Sequence, residues 1–409
     1  MSVEVLNFGC RLNAFESEVI RGHAAGLRDT VVINTCAVTA EAERQCRKAV
    51  AAIHRERPGA AIVVTGCAAQ IAPDRWAALP GVQRVLGNAE KLRPEHWRAD
   101  APSAVGDIGA VRTHVAQPVL GIEGRARAFL DVQQGCDHAC TFCIIPQGRG
   151  RSRSLPVAEA VAQARAIAAS GINELVLTGV DLASYRDGAA GLGAAGLGDL
   201  VLAILRGVPA LPRLRLSSLD PAAIDDTLWR ALAEQERLMP HLHLSIQAGA
   251  DLVLKRMRRR HSRADALGAI ARARALRPGL AIGADLIAGF PTETEPQHRQ
   301  TLDFIAQAEI PYLHVFPYSE RPGTPAARMP AVPPPLRRAR AAELRGAGLS
   351  VAARFHAGQL GRTVRVVAER GGVGHSEHFT KVRLSGTHPP GSLVTVRVTA
   401  ADAAGLEAG

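Results

Sequence analysis

The first hundred residues alternate between short apolar runs and longer stretches with helical spacing. The apolar runs VEVLNFGC, TVVINTC and AIVVTGC end at Cys10, Cys36 and Cys67, and the stretches AFESEVIRGHAAGL and EAERQCRKAVAAIHRE lie between them. This alternation predicts a parallel sheet with right-handed crossovers. Because the carboxyl ends of parallel strands share one sheet edge, where ligands bind, we expect the three cysteines to meet in space.

An alternative applies to each of these cysteines, because a free cysteine is often just a small buried apolar residue. Three cysteines at the same register of three strands favour a shared site instead. Cys46 differs, since it shares a helical face with other apolar residues, and we interpret it as a core residue. The Gly/Ala/Pro-rich segment 99–118 is interpreted as a linker.

From Arg127 to about Ser319 the alternation resumes with six candidate strands. They are AFLDVQQ, ELVLTGVDL, RLRLSSLD, HLHLSIQAG, LAIGADLIAGF and YLHVFPYS, separated by helical stretches such as PVAEAVAQARAIAAS. Six strand–helix units are too few for a closed eight-fold barrel. The pattern therefore predicts an α/β fold with an open, partial (β/α)6 barrel, whose function lies in the loops that follow the strands.

The last part of the chain alternates with a period of two residues. The segments GRTVRVVAE, HFTKVRLSG and GSLVTVRVTA predict a small antiparallel β-barrel. Three histidines there, His375, His378 and His388, are expected on the surface. We predict domain boundaries at 1–115 for the parallel N-terminal α/β domain, 122–350 for the barrel core and 351–409 for the C-terminal β-barrel.

The amino-acid composition indicates what kind of molecule the protein binds. The 409 residues carry a net charge of +11, with a pI near 10.0, which favours a polyanion such as RNA. The 45 Arg against 4 Lys are also consistent with biased genome base composition. Seven cysteines in so long a chain do not indicate a disulfide scaffold. With no signal peptide at MSVEVLNFGC and no apolar run near 20 residues, we predict a cytoplasmic protein without membrane contact.

Three cysteines follow the first strand of the central region, at the spacing Cys136-x3-Cys140-x2-Cys143. Structural zinc takes four protein ligands, so a zinc loop completed by His138 is one interpretation. The other is an iron–sulfur cluster held by three thiolates, whose fourth iron stays open for a small molecule.

The segment GCDHACTFCIIP resembles the radical S-adenosylmethionine (SAM) superfamily, and in particular its methylthiotransferase branch. NFGCRLNAFESE, VINTCAVTAEAE and VTGCAAQ are similar to that branch's three N-terminal cysteine motifs, so the resemblance spans essentially the whole chain. It implies two [4Fe-4S] clusters, each with one free iron, a 5′-deoxyadenosyl radical made from one SAM and a methyl group from another. The ligands it implies are Cys136, Cys140 and Cys143 for the radical cluster and Cys10, Cys36 and Cys67 for the sulfur-donating cluster.

Three further positions are candidate SAM contacts. Gly179 in LTGVD and Gly289 in ADLIAGFPTET would let the backbone approach the cofactor, and Gln247 in SIQAG would offer a polar side chain. A glycine at a strand end is equally typical of a simple turn.

The segments CIIPQGRGRSRSLP, LTGVDLASY and FPYSERPGTPAARMP resemble the enzymes that act on N6-threonylcarbamoyladenosine (t6A) at position 37 of tRNA. This resemblance implies methylthiolation at carbon 2 of that purine. The C-terminal barrel resembles a TRAM module, which implies contact with the anticodon stem-loop. Implied as well are an electron donor such as flavodoxin or ferredoxin, and a monomeric enzyme. The chain departs from the pattern at Gln147 and in the Gly/Ala-rich loop 187–199.

Basic strips are candidate phosphate contacts. They lie at Arg149, Arg151 and Arg153 and at Lys255–Arg260, whereas Arg337–Arg345 is expected to be an exposed helix. Three other functions stay open: methylthiolation of N6-isopentenyladenosine in tRNA, methylthiolation of a ribosomal-protein aspartate, and a non-catalytic, zinc-containing RNA-binding protein.

Overall fold

The N-terminal part of the chain forms a four-stranded parallel sheet in the order β1-β2-β3-β4. The structure is a computed structural model that describes residues 3–117, 126–188 and 194–409. The elements of this part are β1 (Glu4–Asn7), α1 (Arg11–His23), β2 (Thr30–Thr35), α2 (Ala40–Glu56), β3 (Ala61–Gly66), α3 (Cys67–Ile71), α4 (Pro73–Ala77) and β4 (Val82–Val85). The core strand β2 is buried throughout, and Cys46 on α2 is fully buried, as expected of a core residue.

The central part forms the open α/β barrel that the sequence predicts. Its elements are β5 (Ala128–Gln134), α5 (Ile145–Arg149), β6 (Arg153–Ser154), α6 (Val157–Ala169), β7 (Glu174–Gly179), α7 (Leu197–Gly207), β8 (Arg213–Leu216), α8 (Asp226–Glu234), β9 (His241–Gln247), α9 (Asp251–Met257), α10 (Arg263–Leu276), β10 (Ala281–Ala288), α11 (Glu295–Ala308), β11 (Tyr312–Pro317) and α12 (Pro334–Ala357). The order is β6-β5-β7-β8 and then β9-β10-β11, with β6 an antiparallel edge strand. Hydrogen bonds of Leu219 with His243 and Ser245, each 2.8 Å, join the two sheets.

The C-terminal part is a closed five-stranded barrel in the order β12-β13-β14-β16-β15. Its strands are β12 (Thr363–Glu369), β13 (Val373–Ser376), β14 (Lys381–Leu384), β15 (Leu393–Asp402) and β16 (Gly405–Ala408). Four of the strand pairings are antiparallel, and the pairing of β14 with β16 is parallel. Alternate valines of β12 and β15 fill its core, in agreement with the period of two.

Helix α1 of the N-terminal part packs against the barrel. Its Phe15 and Val19 form an apolar cluster with Phe129 of β5 and Val176 of β7. The neighbouring residues of β5, such as Leu130, belong to the core formed with the outer helices. Since successive side chains of a strand point to opposite faces, α1 occupies the face of the barrel that the outer helices leave free.

The C-terminal barrel packs against the opposite ends of the same strands. Glu174, the first residue of β7, accepts hydrogen bonds from Arg215 at 3.1 Å and is fully buried. Arg215 in turn donates to the carbonyl oxygen of Ser376 at 3.3 Å. Phe379 lies 5.3 Å from the ring of His241. The C-terminal barrel keeps its own apolar core and is joined to the central barrel by these buried polar and aromatic contacts.

Some sequence-based expectations were wrong. Arg337 and Arg340 are buried and not exposed, because α12 packs on the barrel and Arg340 pairs with Glu293 at 3.1 Å. His375, His378 and His388, expected on the surface, are half-buried, so part of each side chain is exposed.

The segment interpreted as a linker is packed as far as the structure describes it. The carbonyl oxygen of Ala104 accepts a hydrogen bond from Gly87 at 2.8 Å, and His114 lies 3.0 Å from the carbonyl oxygen of Asp131. Residue 118, the proposed boundary at 122 and part of the Gly/Ala-rich loop lie outside the described residues, and the boundary at 350 falls within α12. The three domain boundaries stay predictions.

Candidate functional site

The structure brings Cys10, Cys36 and Cys67 together at the carboxyl ends of β1, β2 and β3. All three line one cavity of about 550 Å³. The segments around Gly9 and Cys36 approach so closely that a Cβ atom on Gly9 would lie 2.7 Å from the Sγ of Cys36. Burial raises the pKa of Cys36 to about 12, and the neighbouring Cys67 and Cys10 act in the same direction. Their ligand role stays a prediction, and their proximity is what that role requires.

Gly66 gives the third cysteine its position. Its φ of +95° lies in the region that favours glycine, and a Cβ atom there would collide with the backbone of Thr35. This conformation ends β3 against β2 and lets α3 begin at Cys67.

Arg149 links the two cysteine-bearing loops. Its Nε donates to the Sγ of Cys67 at 3.1 Å, and its Nη2 donates to Glu16 at 2.8 Å. Glu16 also pairs with Lys91 at 2.7 Å, and all of these side chains are buried. Burial opposes the charged carboxylate, but Arg149 and Lys91 outweigh it and lower the pKa of Glu16 to about 2. The expectation that Arg149 is a phosphate contact was therefore wrong, because its guanidinium is used inside the protein.

Some of the other arginines in the two basic strips are exposed, and others are buried or paired. Arg151 is exposed and Arg153 is half-buried. Within the strip Lys255–Arg260, Met257 is buried and Arg259 pairs with Asp220 at 3.2 Å, so that strip is not a continuous basic surface.

The loop after β5 holds the second triad. Gly135, with φ of +71°, turns the chain, and the backbone N–H of Cys136 donates to the carbonyl of Gly150 at 3.1 Å. Arg259 lies 3.6 Å from the Sγ of Cys140. Burial raises the pKa of Cys136 to about 12, with Asp181 the next contribution, and burial raises that of Cys143 to about 11. Arg259 acts in the opposite direction on Cys143 and favours its thiolate, which is the form that metal ligation needs.

The spacing of the sulfur atoms tests which metal group fits. A tetrahedral zinc site with bonds of about 2.3 Å needs its ligand atoms roughly 4 Å apart. Among the described residues, which include every cysteine, neither triad has its three sulfur atoms within 4.8 Å of one another. His138 lies with Asp181, at 2.8 Å, and only Cys136 of the triad joins that group. Three separated thiolates suit an iron–sulfur cluster better than a single zinc ion.

The three candidate SAM contacts fall in different places. Gly179 ends β7 and lines the 550 Å³ cavity, where a Cβ atom would lie 2.9 Å from the carbonyl of Gln133. Gln247 lines a neighbouring cavity of about 270 Å³ together with Phe142. Gly289 borders neither of these two cavities, and its open side is filled by Arg337 of α12. All three roles stay predictions.

The large cavity also contains residues that the sequence reasoning missed. His243, Asp285 and His314 of β9, β10 and β11 line it, with Asp285 Oδ1 3.0 Å from His243 and 3.3 Å from His314. Arg11, next to Cys10, lines it as well. The available signal in the sequence was a polar residue inside each of three apolar strands, and the register that brings them together, with Gly283 beside His243 and Asp285 beside His314, comes from the structure.

Comparison with known proteins gives the class of this fold and site. The radical SAM superfamily matches residues 130–305, and "Uncharacterized protein family UPF0004" matches residues 2–87. The solved radical SAM methyltransferase TsrM from Kitasatospora setae has a TM-score of 0.52 at 17% identity, over 78% of this chain and 67% of that one, which shows the fold alone. The barrel and its cysteine loop thus define a radical SAM enzyme.

Relatives that match most of the chain show which kind of radical SAM enzyme it is. The threonylcarbamoyladenosine tRNA methylthiotransferase MtaB of Rickettsia prowazekii is 45% identical, over 93% of this chain and 91% of its own. MtaB of Bacillus subtilis is 36% identical, over 78% and 74%. The tRNA-2-methylthio-N(6)-dimethylallyladenosine synthase of Maricaulis maris is 33% identical, over 95% and 91%. The chain belongs to the family of threonylcarbamoyladenosine tRNA methylthiotransferases.

Proposed function

We propose that this radical SAM methylthiotransferase inserts a methylthio group at carbon 2 of t6A, at position 37 of tRNA. One observation carries the proposal: the first cysteine triad and the helix that follows the second triad border the same cavity. Cys10, Cys36 and Cys67 line it, and α5, which comes directly after the loop of the second triad, contributes Ile145 and Arg149. When bound, a [4Fe-4S] cluster with SAM supplies a radical able to remove hydrogen from an unactivated C–H bond, and a second cluster supplies the sulfur.

In this proposal the chain's own residues bind the two clusters, orient the cofactor and exclude water from the cavity. Cys136, Cys140 and Cys143 bind the radical cluster, and Gly179 with Gln247 borders the cofactor. The other triad binds the second cluster, with Arg149 fixing Cys67. The apolar packing of α1 on β5 and β7 keeps water out behind the cavity. The cavity's volume of about 550 Å³ is within the range of pockets that hold one small molecule.

The C-terminal barrel is proposed to bind the anticodon stem-loop. Its strand β14 points Lys381 and Arg383 outward, and Arg383, which is 75% exposed, lies 3.2 Å from the exposed Glu407 of β16. Cations on such a surface attract phosphates and make binding salt-dependent. Phe379, one of only two phenylalanines available to this barrel for base stacking, is half-buried, and the guanidinium of Arg215 lies 4.8 Å from its ring centroid. We therefore propose that this barrel contacts RNA through charged side chains and not through base stacking.

The remaining parts of the proposal concern setting and partners. We propose a monomer that receives electrons from a flavodoxin or ferredoxin and works in the cytoplasm, where its tRNA is found. In the described part of the chain, no helix combines the length and apolar character that a bilayer crossing needs.

Mass spectrometry of tRNA nucleosides tests the function directly. Cells that lack the protein should lose 2-methylthio-t6A, and the wild-type gene should restore it while a Cys140→Ala gene should not. Loss of the 2-methylthio derivative of isopentenyladenosine would support that substrate instead, and unchanged nucleosides would point to the ribosomal protein. Metal analysis separates the non-catalytic alternative, since we expect about eight iron atoms per chain, four per cluster, and no stoichiometric zinc.

A further inference from the structure

Arg11 is a cation without an anionic partner at the centre of the molecule. It is the first residue of α1, follows Cys10 directly and lines the 550 Å³ cavity. Among the described residues, its guanidinium has no hydrogen bond and no carboxylate within 4.0 Å. The ring of Phe379 supports it from one side, 5.5 Å from the Cζ atom. Arg11 therefore borders the cavity with a planar guanidinium that no carboxylate of the described residues engages.

The other charges around the cavity do not neutralise Arg11. Arg149 is paired with Glu16, and so its charge is used elsewhere. Asp285 is shared between His243 and His314, at 3.0 and 3.3 Å. Burial opposes the charge of Asp285, but those two hydrogen bonds outweigh it and lower its pKa. The anions that act on Arg11 are Asp285 and Glu174, and neither forms an ion pair with it within 4.0 Å, whereas Arg127 and Arg215 repel it.

The cavity wall around Arg11 is polar on the side of β8–β11. Ser217, Ser245, His243 and His314 border it, with Phe316 beside them. Phe316 is 44% exposed although it is a large apolar side chain, so its ring is available to a ligand. A ligand that fits this wall has a flat ring for Phe316 and a hydrogen-bonding, anionic arm for Arg11. An isopentenyl arm would leave the polar groups without partners.

We propose that Arg11, with His243 and His314 beside it, is the receptor for the carboxylate of the threonylcarbamoyl group, and so the specificity determinant for t6A. This proposal rests on the proposed function, because it names the part of that substrate the cavity recognises. Arginine and a carboxylate form a two-pronged, charge-assisted pair, which gives both affinity and orientation. The arm would thereby hold the purine in place next to Cys10.

A binding cycle tests the receptor. Two labelled anticodon stem-loops are compared, one with t6A and one with its threonyl carboxylate converted to the methyl ester. Their Kd values are measured with the reconstituted wild-type protein, Arg11→Gln, Arg11→Lys and the control Arg28→Gln, whose side chain is exposed on the same domain. We expect wild type and the control to bind the acid at least about tenfold more tightly than the ester. In Arg11→Gln the ratio should fall to about one, with ester binding unchanged, and Arg11→Lys should lie between.

The possible results distinguish whether Arg11 binds the carboxylate of t6A or the carboxylate of SAM. An acid-to-ester ratio of one in the wild type would overturn the proposal without any variant, which covers the case of a misfolded Arg11→Gln. A ratio that persists in Arg11→Gln would overturn it as well. Equilibrium dialysis with SAM is the further arm, and a tenfold loss of SAM affinity in Arg11→Gln would assign Arg11 to the carboxylate of SAM instead. If the wild type binds the acid preferentially but makes no methylthio product from it, the proposed function fails and the receptor stands.

Discussion

The Nε atom of Arg149 lies 3.1 Å from the Sγ of Cys67 and donates a hydrogen bond to it, across the contact between the barrel loop and the N-terminal sheet. The same guanidinium is paired with Glu16. One side chain thus fixes the position of a cysteine from the first triad relative to the loop that carries the second.

Replacing Arg149 should destabilise the fold markedly. Arg149→Gln removes a buried charge and leaves Lys91 as the only cation paired with Glu16 among the described residues, and breaking a buried pair in this way costs about 3 to 5 kcal/mol. Urea unfolding of the cluster-free protein at neutral pH measures the change. Arg151→Gln is the control, since this neighbouring side chain is exposed, and its effect should be close to zero. Equal midpoints for the two variants would contradict the role given to Arg149.

Acid should weaken the same network. The pKa of Glu16 is lowered from 4.5 to about 2, so its contribution is fully present above pH 4.5 and is lost as the pH falls toward 2. A shift of this size corresponds to about 3 kcal/mol. The free energy of unfolding of Glu16→Gln should therefore lie well below that of wild type at pH 6, and the gap should narrow between pH 4.5 and 2. A gap that is constant with pH would show that the carboxylate charge is not responsible.

The two triads should fail in different ways. Cys140→Ala should abolish both reductive cleavage of SAM and every modification, because it removes a ligand of the radical cluster. Cys36→Ala should keep cleavage and lose sulfur insertion, with iron falling from about eight to about four atoms per chain. Chromatography of 5′-deoxyadenosine and of the tRNA nucleosides reports both steps. Methylthio product from the Cys36 variant would refute the assignment of the sulfur-donating site.

Gly66 should not tolerate a side chain. At its φ of +95°, Gly66→Ala adds backbone strain and a collision with Thr35. We expect the free energy of unfolding to fall by about 3 kcal/mol. Because Cys67 follows directly, iron bound after reconstitution should fall too. Gly59→Ala is the matched control, since nothing lies within 4 Å of a Cβ atom at that position. Unchanged stability and iron content in Gly66→Ala would show that the backbone there adapts freely.

Glu174 should hold the C-terminal barrel in place. Its carboxylate pairs with Arg127, Arg213 and Arg215, and burial is outweighed by these arginines so that its pKa is lowered to about 2. Glu174→Ala leaves the buried Arg215 without a carboxylate, while Arg127 keeps Glu369 and Arg213 keeps Glu377, and breaking such a buried network costs about 3 to 5 kcal/mol. We expect limited proteolysis to separate the barrel from the rest of this variant much faster than from wild type.

The control for that experiment is Glu159→Ala, which changes an exposed carboxylate on α6. Its digestion pattern should match wild type. Similar digestion of Glu159→Ala and Glu174→Ala would argue against a docking role for Glu174.

The elements and both triads could be predicted because they depend on local patterns. AFLDVQQ corresponds to β5 without a shift at either end, since its apolar residues form a short run that ends at the turn-forming Gly135. Cys10, Cys36 and Cys67 meet because each follows a parallel strand, a consequence of topology alone.

The burial of Arg149 could not be predicted in the same way. GRGRSRS has the composition of a solvated strip, and the partner that buries Arg149 is Glu16, 133 residues earlier in the chain. Arg337 and Arg340 were misjudged for the same reason, because a helix rich in arginine gives no local sign of the carboxylates and carbonyls it meets. The parallel pairing of β14 with β16 was also missed, since a period of two fixes which side faces inward but not which strands close the barrel.

The position of α1 against the inner strands has a consequence for how such enzymes diverge and can be engineered. Arg11 and His314 face one chamber but lie 303 residues apart in the chain, on α1 and β11. Grafting the catalytic segment of a relative with another substrate would transplant only part of the chamber wall. A chimera meant to change nucleoside choice has to exchange α1 and β11 together.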